Sequence, residues 1–265
     1  MGEGAVVIEA WRLSLSAGFV LAAGAVSLGL RLGLEKTLAV ASLRTVVQLL
    51  AVGYVLSWIF ALDSPWLVAL LAALMIAAAS RAAVQRSARR FAGATTGAFA
   101  TLAITGVATT LGATTVVIGV EPWWKAQYVV PLLGMVLGNG LTGMSLCLDE
   151  ITRSLDEGRA RVETELALGA SKWEAARDPL REAVRRGMIP MINTMMVVGI
   201  VSLPGMMTGQ ILEGADPLLA VRYQIVIMFM LAGATAFGCM LLALVAYARL
   251  FDEAHRLRPD RLITR

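Results

Sequence analysis

Seven segments, at about 13–34, 38–61, 66–85, 93–119, 127–148, 187–208 and 222–248, run apolar for close to twenty residues or more. A helix needs about 20 such residues to cross the hydrocarbon of a bilayer. Of the 265 residues, 58% are hydrophobic and 16% charged, where a soluble domain is about half apolar. The expected fold class is therefore all-α: a polytopic membrane protein with about seven transmembrane helices. The first residues, MGEGAVVIEA, carry Glu3 and Glu9 and no basic cluster, so no cleavable signal peptide is expected and the first span should stay in the protein.

The connectors sort into two sets by their Lys and Arg content. Residues 1–12 carry only Arg12, the 62–65 turn has Asp63 and no base, 120–126 sets Glu121 against Lys125, and 209–221 has Glu213 and Asp216 and no base. The other set is basic: Arg31 and Lys36; Arg81, Arg86, Arg89 and Arg90; Arg153 through Arg186; and Arg249, Arg256, Arg258, Arg261 and Arg265. The sets alternate. This predicts an N-terminus outside, a C-terminus in the cytoplasm and an address in the inner (plasma) membrane. The net charge of +4 then fixes topology, and no nucleic-acid partner is expected. Trp123 and Trp124 fit an interfacial belt. Gly93/Gly97, Gly134/Gly138 and Gly205/Gly209 are spaced for close helix packing in lipid. Cys147 and Cys239 read as small buried hydrophobes, and His255 as a solvated tail residue. No internal repeat is visible.

Residues 149–186 form the one long polar connector. Within it Val162, Leu166, Gly169/Ala170 and Trp173 make an amphipathic stripe at helical spacing. Gly169 suits a helix C-cap, Ser171 with Glu174 a capping box, and Asp178–Pro179 a further helix start. A short helix, a break at Gly169 and further short helices leading into the sixth span are expected. Such a helix can lie on the membrane, pack under its own bundle or dock into a partner. Glu163 and Glu165 on its polar face shift the weight toward a partner, since membrane-surface helices favour Lys and Arg there.

The stretch ETELALGAS resembles the coupling segment of ABC transporter permeases, the cytoplasmic helix that fits a groove in the ATPase subunit. RTVVQLLAVGYVL (44–56), VPLLGMVLGNGLTGMSLCL (130–148) and VGIVSLPGMMTGQILEGADPLLAVRYQIVIMFML (198–231) resemble the FetB-type family of iron-exporting permeases, to which plant aluminium-tolerance permeases are related. The resemblance runs along nearly the whole chain, in order. It implies one permease domain over 1–265, with its coupling segment at 149–186. Val162, Glu163, Glu165, Leu166, Leu168, Gly169, Ala170 and Trp173 would then meet the ATPase. The phosphate-binding pattern G-x-x-x-x-G-K-[ST] is absent from the sequence, so the chain is read as no enzyme. ATP and Mg would sit on a separate ATPase subunit, and no cofactor is expected on this chain. Two permeases with two ATPases, in a lipid bilayer, make the implied assembly.

Candidates for a translocation path or gate are Arg44 and Gln48 on the second span, since an ionisable group at depth is a functional candidate. Asn139 and Asn193 are polar groups in the fifth and sixth spans. Pro204 breaks the sixth, where irregular backbone is tolerated only if it lines a cavity or is buried in protein. Met196, Met206 and Met207 offer thioethers, which suit soft metals, with Met195 near by and Gln210 and Asp216 following. Asp149 and Glu150 could gather cations or merely solvate a helix end. No paired Cys or His has ligand spacing, so no metal site is assigned. Export of iron leads. Another metal, an organic cargo such as a nucleotide sugar or thiol conjugate, and an ATP-independent channel or transporter stay open. The last is disfavoured by the long insert and missing repeat. A Ser–His hydrolase within the spans is excluded by the position of His255.

Overall fold

The structure, a computed structural model, describes residues 9–62, 64–87 and 89–264. Glu3, Asp63 and Arg265, counted above among the loop charges, lie outside the described residues. The helices are α1 (Ala10–Gly29), α2 (Glu35–Leu62), α3 (Pro65–Arg86), α4 (Ala94–Leu111), α5 (Ala126–Glu157), α6 (Arg159–Ala167), α7 (Lys172–Val197), α8 (Gly205–Leu212) and α9 (Pro217–Leu250). The strands β1 (Arg89–Phe91) and β2 (Leu262–Thr264) form a small antiparallel ribbon. The protein is an all-α polytopic membrane protein.

Among the described residues, six helices are long and apolar enough to span a bilayer: α1, α2, α3, α4 with its π-helical end, α5 and α9. The segment expected at 187–208 is not one helix. Its first half completes α7, residues 198–204 leave the helix, and α8 begins at Gly205. The chemistry is local. Gly199 takes φ +83°, its N–H reaches back to the Ser202 carbonyl, and Pro204 cannot donate an amide hydrogen.

The chain forms two compact units, residues 1–64 with 209–216, and 65–208 with 217–265. In the first, α1 and α2 make a helical hairpin. Its turn is organised by Ser27, whose hydroxyl accepts from the Leu34 N–H at 3.0 Å and donates to Glu35 at 3.2 Å. Most apolar side chains of this hairpin are exposed, as they would be against lipid. The 209–216 piece closes α8 with a Schellman turn: Gly214 at φ +89°, Ala215 N–H to Gln210 O, and Gly214 N–H to Ile211 O.

In the second unit α5 is the axis. Met144, Cys147, Leu148 and Ile151 are wholly buried on it, and α3, α4, α7 and α9 pack around it. The closest approach joins α5, α7 and α9. A Cβ placed on Gly187 would lie 2.6 Å from Cys239 Sγ and 2.8 Å from the Gly143 carbonyl oxygen, and one on Gly143 would lie 2.8 Å from the Gly187 carbonyl oxygen. Of the glycine pairs singled out by spacing, Gly97 does press on α9, since a Cβ there would lie 2.7 Å from Val245, and one on Gly134 would meet Met75 at 3.4 Å, whereas Gly138, Gly205 and Gly209 have nothing within 4 Å of that position. Cys147 and Cys239 are free thiols in this core. The tail beyond α9 folds back: Phe251 and Leu257 are buried and β2 pairs with β1.

Gly187→Ala is therefore expected to destabilise the protein by about 1–3 kcal/mol, the usual penalty of overpacking, because the opposing atom is backbone and cannot turn away. Gly138→Ala on the same bundle should be neutral or mildly stabilising. Thermal unfolding midpoints of the two variants in one detergent check the contrast.

Candidate coupling platform and broken-helix cavity

At one end of the second unit three basic connectors come together: 86–93, 149–186 and the stretch after 249. Arg89 pairs with Asp156 at 3.5 Å and Glu157 at 3.2 Å, β1 holds β2, and the Lys172 N–H donates to His255 Nδ1 at 2.9 Å. His255 is exposed, as expected of a tail residue, but it also closes the α7 N-terminus.

The elbow between α6 and α7 is built as its sequence suggests. Gly169 adopts φ +96°, and a Schellman pair runs from Gly169 N–H to Leu166 O and from Ala170 N–H to Glu165 O. Ser171 then caps α7. Its hydroxyl accepts from Glu174 N–H at 3.3 Å, and Glu174 Oε2 accepts from Ser171 N–H at 2.8 Å. The same oxygen accepts from the Ser171 hydroxyl at 2.7 Å, and these two bonds to the carboxylate, that from the Ser171 backbone first, hold the Glu174 carboxyl below the usual carboxylate range. The expected fresh start at Asp178–Pro179 does not occur, because α7 continues through Pro179 to Val197. A proline deletes one amide bond, and the buried Ala175, Ala176, Leu180 and Ala183 clamp the helix across the gap. Asp178 instead pairs with Arg161 at 3.1 Å.

The greasy stripe of the elbow turns inward except at Trp173, which stays 47% exposed. Val162 is 2% exposed, Leu166 packs against the core, Ala170 is half-buried, and Trp173 sets its edge on Tyr247 at 5.5 Å between centroids. Outward lie Glu163, paired with Arg159, and Glu165, paired with Arg161. Gly169 is exposed, and so is Leu168, at 84%. The composition of the stripe could not tell an inward from an outward face. Leu168, off the stripe, projects further from the elbow than Trp173 does.

Glu150 holds the platform to the bundle. It is 4% exposed, accepts from Arg153 at 2.6 Å and Ser154 at 2.7 Å on its own helix, and pairs with Arg186 of α7 at 2.8 Å. Asp149 accepts from Ser87 at 3.3 Å. Both carboxylates thus serve structure here.

The gate candidates fall in both units, and some of those in the second meet. Arg44 and Gln48 are exposed a turn apart on α2, in the first unit. Asn139 is half-buried and returns its amide to the Met135 carbonyl at 2.9 Å. Asn193 and Met196 are exposed on α7, and Met206 on α8. Gln210 buries a side-chain oxygen that has no hydrogen-bond partner, and Asp216 is exposed just before α9. Pro204 and Met207, by contrast, line a cavity of about 420 Å3 in the second unit with Met195, Gln224 and Met228. Gln224 and Met228 escaped the sequence reading because they sit in an apolar run without distinguishing period. A second apolar cavity, about 410 Å3, lies among α3, α4 and α5 beneath Trp123 and Trp124. Among the described residues no three His, Cys, Asp or Glu side chains are placed to hold a metal ion.

Glu150→Ala should cost about 2 kcal/mol: less than the full loss of a buried pair, because Arg153 and Arg186 are half-exposed and can turn to water. Unfolding of purified protein against wild type checks this. The Glu174 carboxyl titrates below its unfolded value, so its stabilisation is complete above the ordinary carboxylate range and is lost as pH falls through the lower folded value. The gap in unfolding midpoint between wild type and Glu174→Gln is thus expected near neutrality and should close in acid.

The chain resembles its relatives along most of their length and its own. The model of the uncharacterised protein family UPF0014 matches residues 10–251. The UPF0014 membrane protein YjkA of Bacillus subtilis is 36% identical, over 94% of this chain and 98% of its own. The probable iron export permease protein FetB of Escherichia coli is 30% identical, over 94% and 95%. The UPF0014 membrane protein STAR2 of Oryza sativa is 34% identical, over 90% and 82%. No solved structure matches. With similarity of this depth along nine-tenths of its length, the chain belongs to the UPF0014 family of membrane proteins.

Proposed function

We propose that this chain is the permease subunit of an ATP-driven exporter, powered by a separate ABC ATPase that docks on the α6–α7 elbow, with iron as the leading cargo. The observation that carries the reading is the elbow itself. An apolar side chain, Leu168, stands 84% exposed between two firmly capped helix ends, on the basic platform of the second unit. Singly exposed leucines are common, but one fixed at a rigid corner is a poor use of surface unless a partner covers it.

Further support comes from the relative named as an iron export permease and from the sequence, which carries no phosphate-binding loop. ATP and Mg then belong to the partner, and a pair of permeases with a pair of ATPases forms the transporter in the inner (plasma) membrane. Positive charge favours the cytoplasmic side, so the platform faces the cytoplasm together with the C-terminus, and the N-terminus lies outside. In this reading α7, the break and α8 make one interrupted crossing, the sixth in chain order, which brings the number of crossings to seven.

Leu168→Glu is expected to lower capture of an ABC ATPase from the same genome, co-expressed with the permease, at least tenfold. The permease should keep its unfolding midpoint, since Leu168 packs on little. Unchanged capture would overturn the docking assignment. ATP hydrolysis by the reconstituted complex, with and without iron under controlled redox, tests the cargo: stimulation by iron is expected, and its absence moves the assignment to an organic substrate.

A further inference from the structure

The cavity at the break has a lining of unusual chemistry for a metal exporter. Met195 from α7, Met207 from α8 and Met228 from α9 face it, with Pro204 and Gly199 from the break between them, and no charged side chain contributes. A bare hard cation is held by several oxygen ligands close around it, and here the polar side chain available is the amide of Gln224. Stripping water from such an ion in this lining would leave its charge uncompensated. The space is also wrong for a caged ion: about 420 Å3 falls in the range of sites for small molecules.

Gln224 supplies the second observation. Its side chain is more than nine-tenths buried, at 7% exposure, and its Oε1 has no hydrogen-bond partner. A buried acceptor without a donor is costly and infrequent in folded proteins. Gln224 lines the cavity, so a turn of its side chain brings this acceptor to a ligand that can donate. The thioethers around it are flexible and polarisable and mould to an irregular apolar surface.

Building on the export function proposed above, we infer that the cavity takes its metal as a charge-neutral chelate bearing a hydroxyl donor, a trivalent ion already wrapped by small bidentate oxygen ligands, and not as the free ion. The ligand's oxygens satisfy the hard metal, its outer rings meet the methionines, and its hydroxyl meets Gln224. No bond within the complex forms or breaks on binding.

Two neutral complexes differ in the feature that Gln224 would read. Tris(kojato)iron(III) carries hydroxymethyl donors, and tris(allomaltolato)iron(III), from 5-hydroxy-2-methyl-4-pyrone, has methyl groups in their place. Equilibrium dialysis of each against the purified permease in lipid nanodiscs, with metal counted by mass spectrometry, is the test. It needs no ATPase, so its outcome is separate from that of the docking experiment. The kojate complex is expected to bind about tenfold more tightly than the allomaltolate complex, a difference of one hydrogen bond. Gln224→Leu should erase the difference. Met207→Trp, and Leu203→Trp at the exposed rim as a second variant, should fill the space and abolish binding of both while the protein stays monodisperse. Free ferrous ion under ascorbate, or kojic acid alone, binding as tightly as the complex would overturn the inference. So would binding untouched by both tryptophan variants. Retention of neither complex would assign the cavity to lipid or to a second copy of the chain and equally refute it. A permease that captures its ATPase and exports iron yet ignores both chelates keeps the proposed function and loses this inference.

Discussion

The contact on which the second unit depends is the near backbone-to-backbone approach of α5, α7 and α9 at Gly143, Gly187 and Cys239. In lipid, apolar side chains gain little by leaving one another for a neighbouring helix, so packing at close range does the work that water does in a soluble core. Gly143 and Gly187 each lack the one atom that would push the opposing carbonyl away. The consequence reaches past the contact. α7 begins as a polar helix at the platform and could not hold a place in an apolar bundle by burial alone. Gly187 seats it, and Arg186, the residue before, is fixed by Glu150 at 2.8 Å. Steric fit and an ion pair thus act at adjacent positions on the same helix.

Much of this fold is legible in the sequence because the bilayer imposes it. A backbone in hydrocarbon has to satisfy itself, so long apolar runs become helices whatever their neighbours do. The elbow was equally legible, since Gly169, Ser171 and Glu174 act over a few residues and their bonds are local. The failures share a physical origin. Spacing singled out Gly138 and Gly205/Gly209 along with Gly97 and Gly134, which do meet other helices, but which glycine does so depends on the faces that cross, and those are set by tertiary packing. Pro179 read as a boundary because one missing amide bond looks decisive alone; four buried neighbours on α7 outweigh it. The apolar stripe at Val162 and Leu166 was seen correctly as a stripe, yet no local rule says which surface it will meet. Gln224 was hidden altogether. Its importance comes from Met195 and Met207, far off in sequence, and from a missing partner that only coordinates reveal.

The site residues therefore divide by range of interaction. Those that cap, such as Ser171 and Glu174, announce themselves. Those that line a cavity do not. Pro204 and Met207 were found because a proline and a methionine pair inside an apolar run are conspicuous, while the opposite wall on α9 is made of residues ordinary for a span. A search for metal ligands by residue type would have passed over the same wall, for it contains neither carboxylate nor imidazole.

One helix joins the two sites. α7 spans 26 residues, about 39 Å at the rise of an α-helix, and runs from the elbow to the break without interruption. Its position is fixed near the middle, at Arg186 and Gly187, and its far end is more open: Asn193 and Met196 are exposed and the chain leaves the helix at Val198. A rod held at its centre turns a displacement at one end into an opposite displacement at the other. Under the proposed function, an ATPase bound at Leu168 would move the elbow, and the response would emerge at residues 198–204, where Gly199 lets the backbone change shape at low cost, where Pro204 keeps the chain from closing into one helix, and where the cavity lies. The same geometry explains why an interruption is placed there. An unbroken helix would carry the motion through to α8 as a rigid body, whereas a break beside the cavity lets its wall on α7 shift relative to its wall on α9.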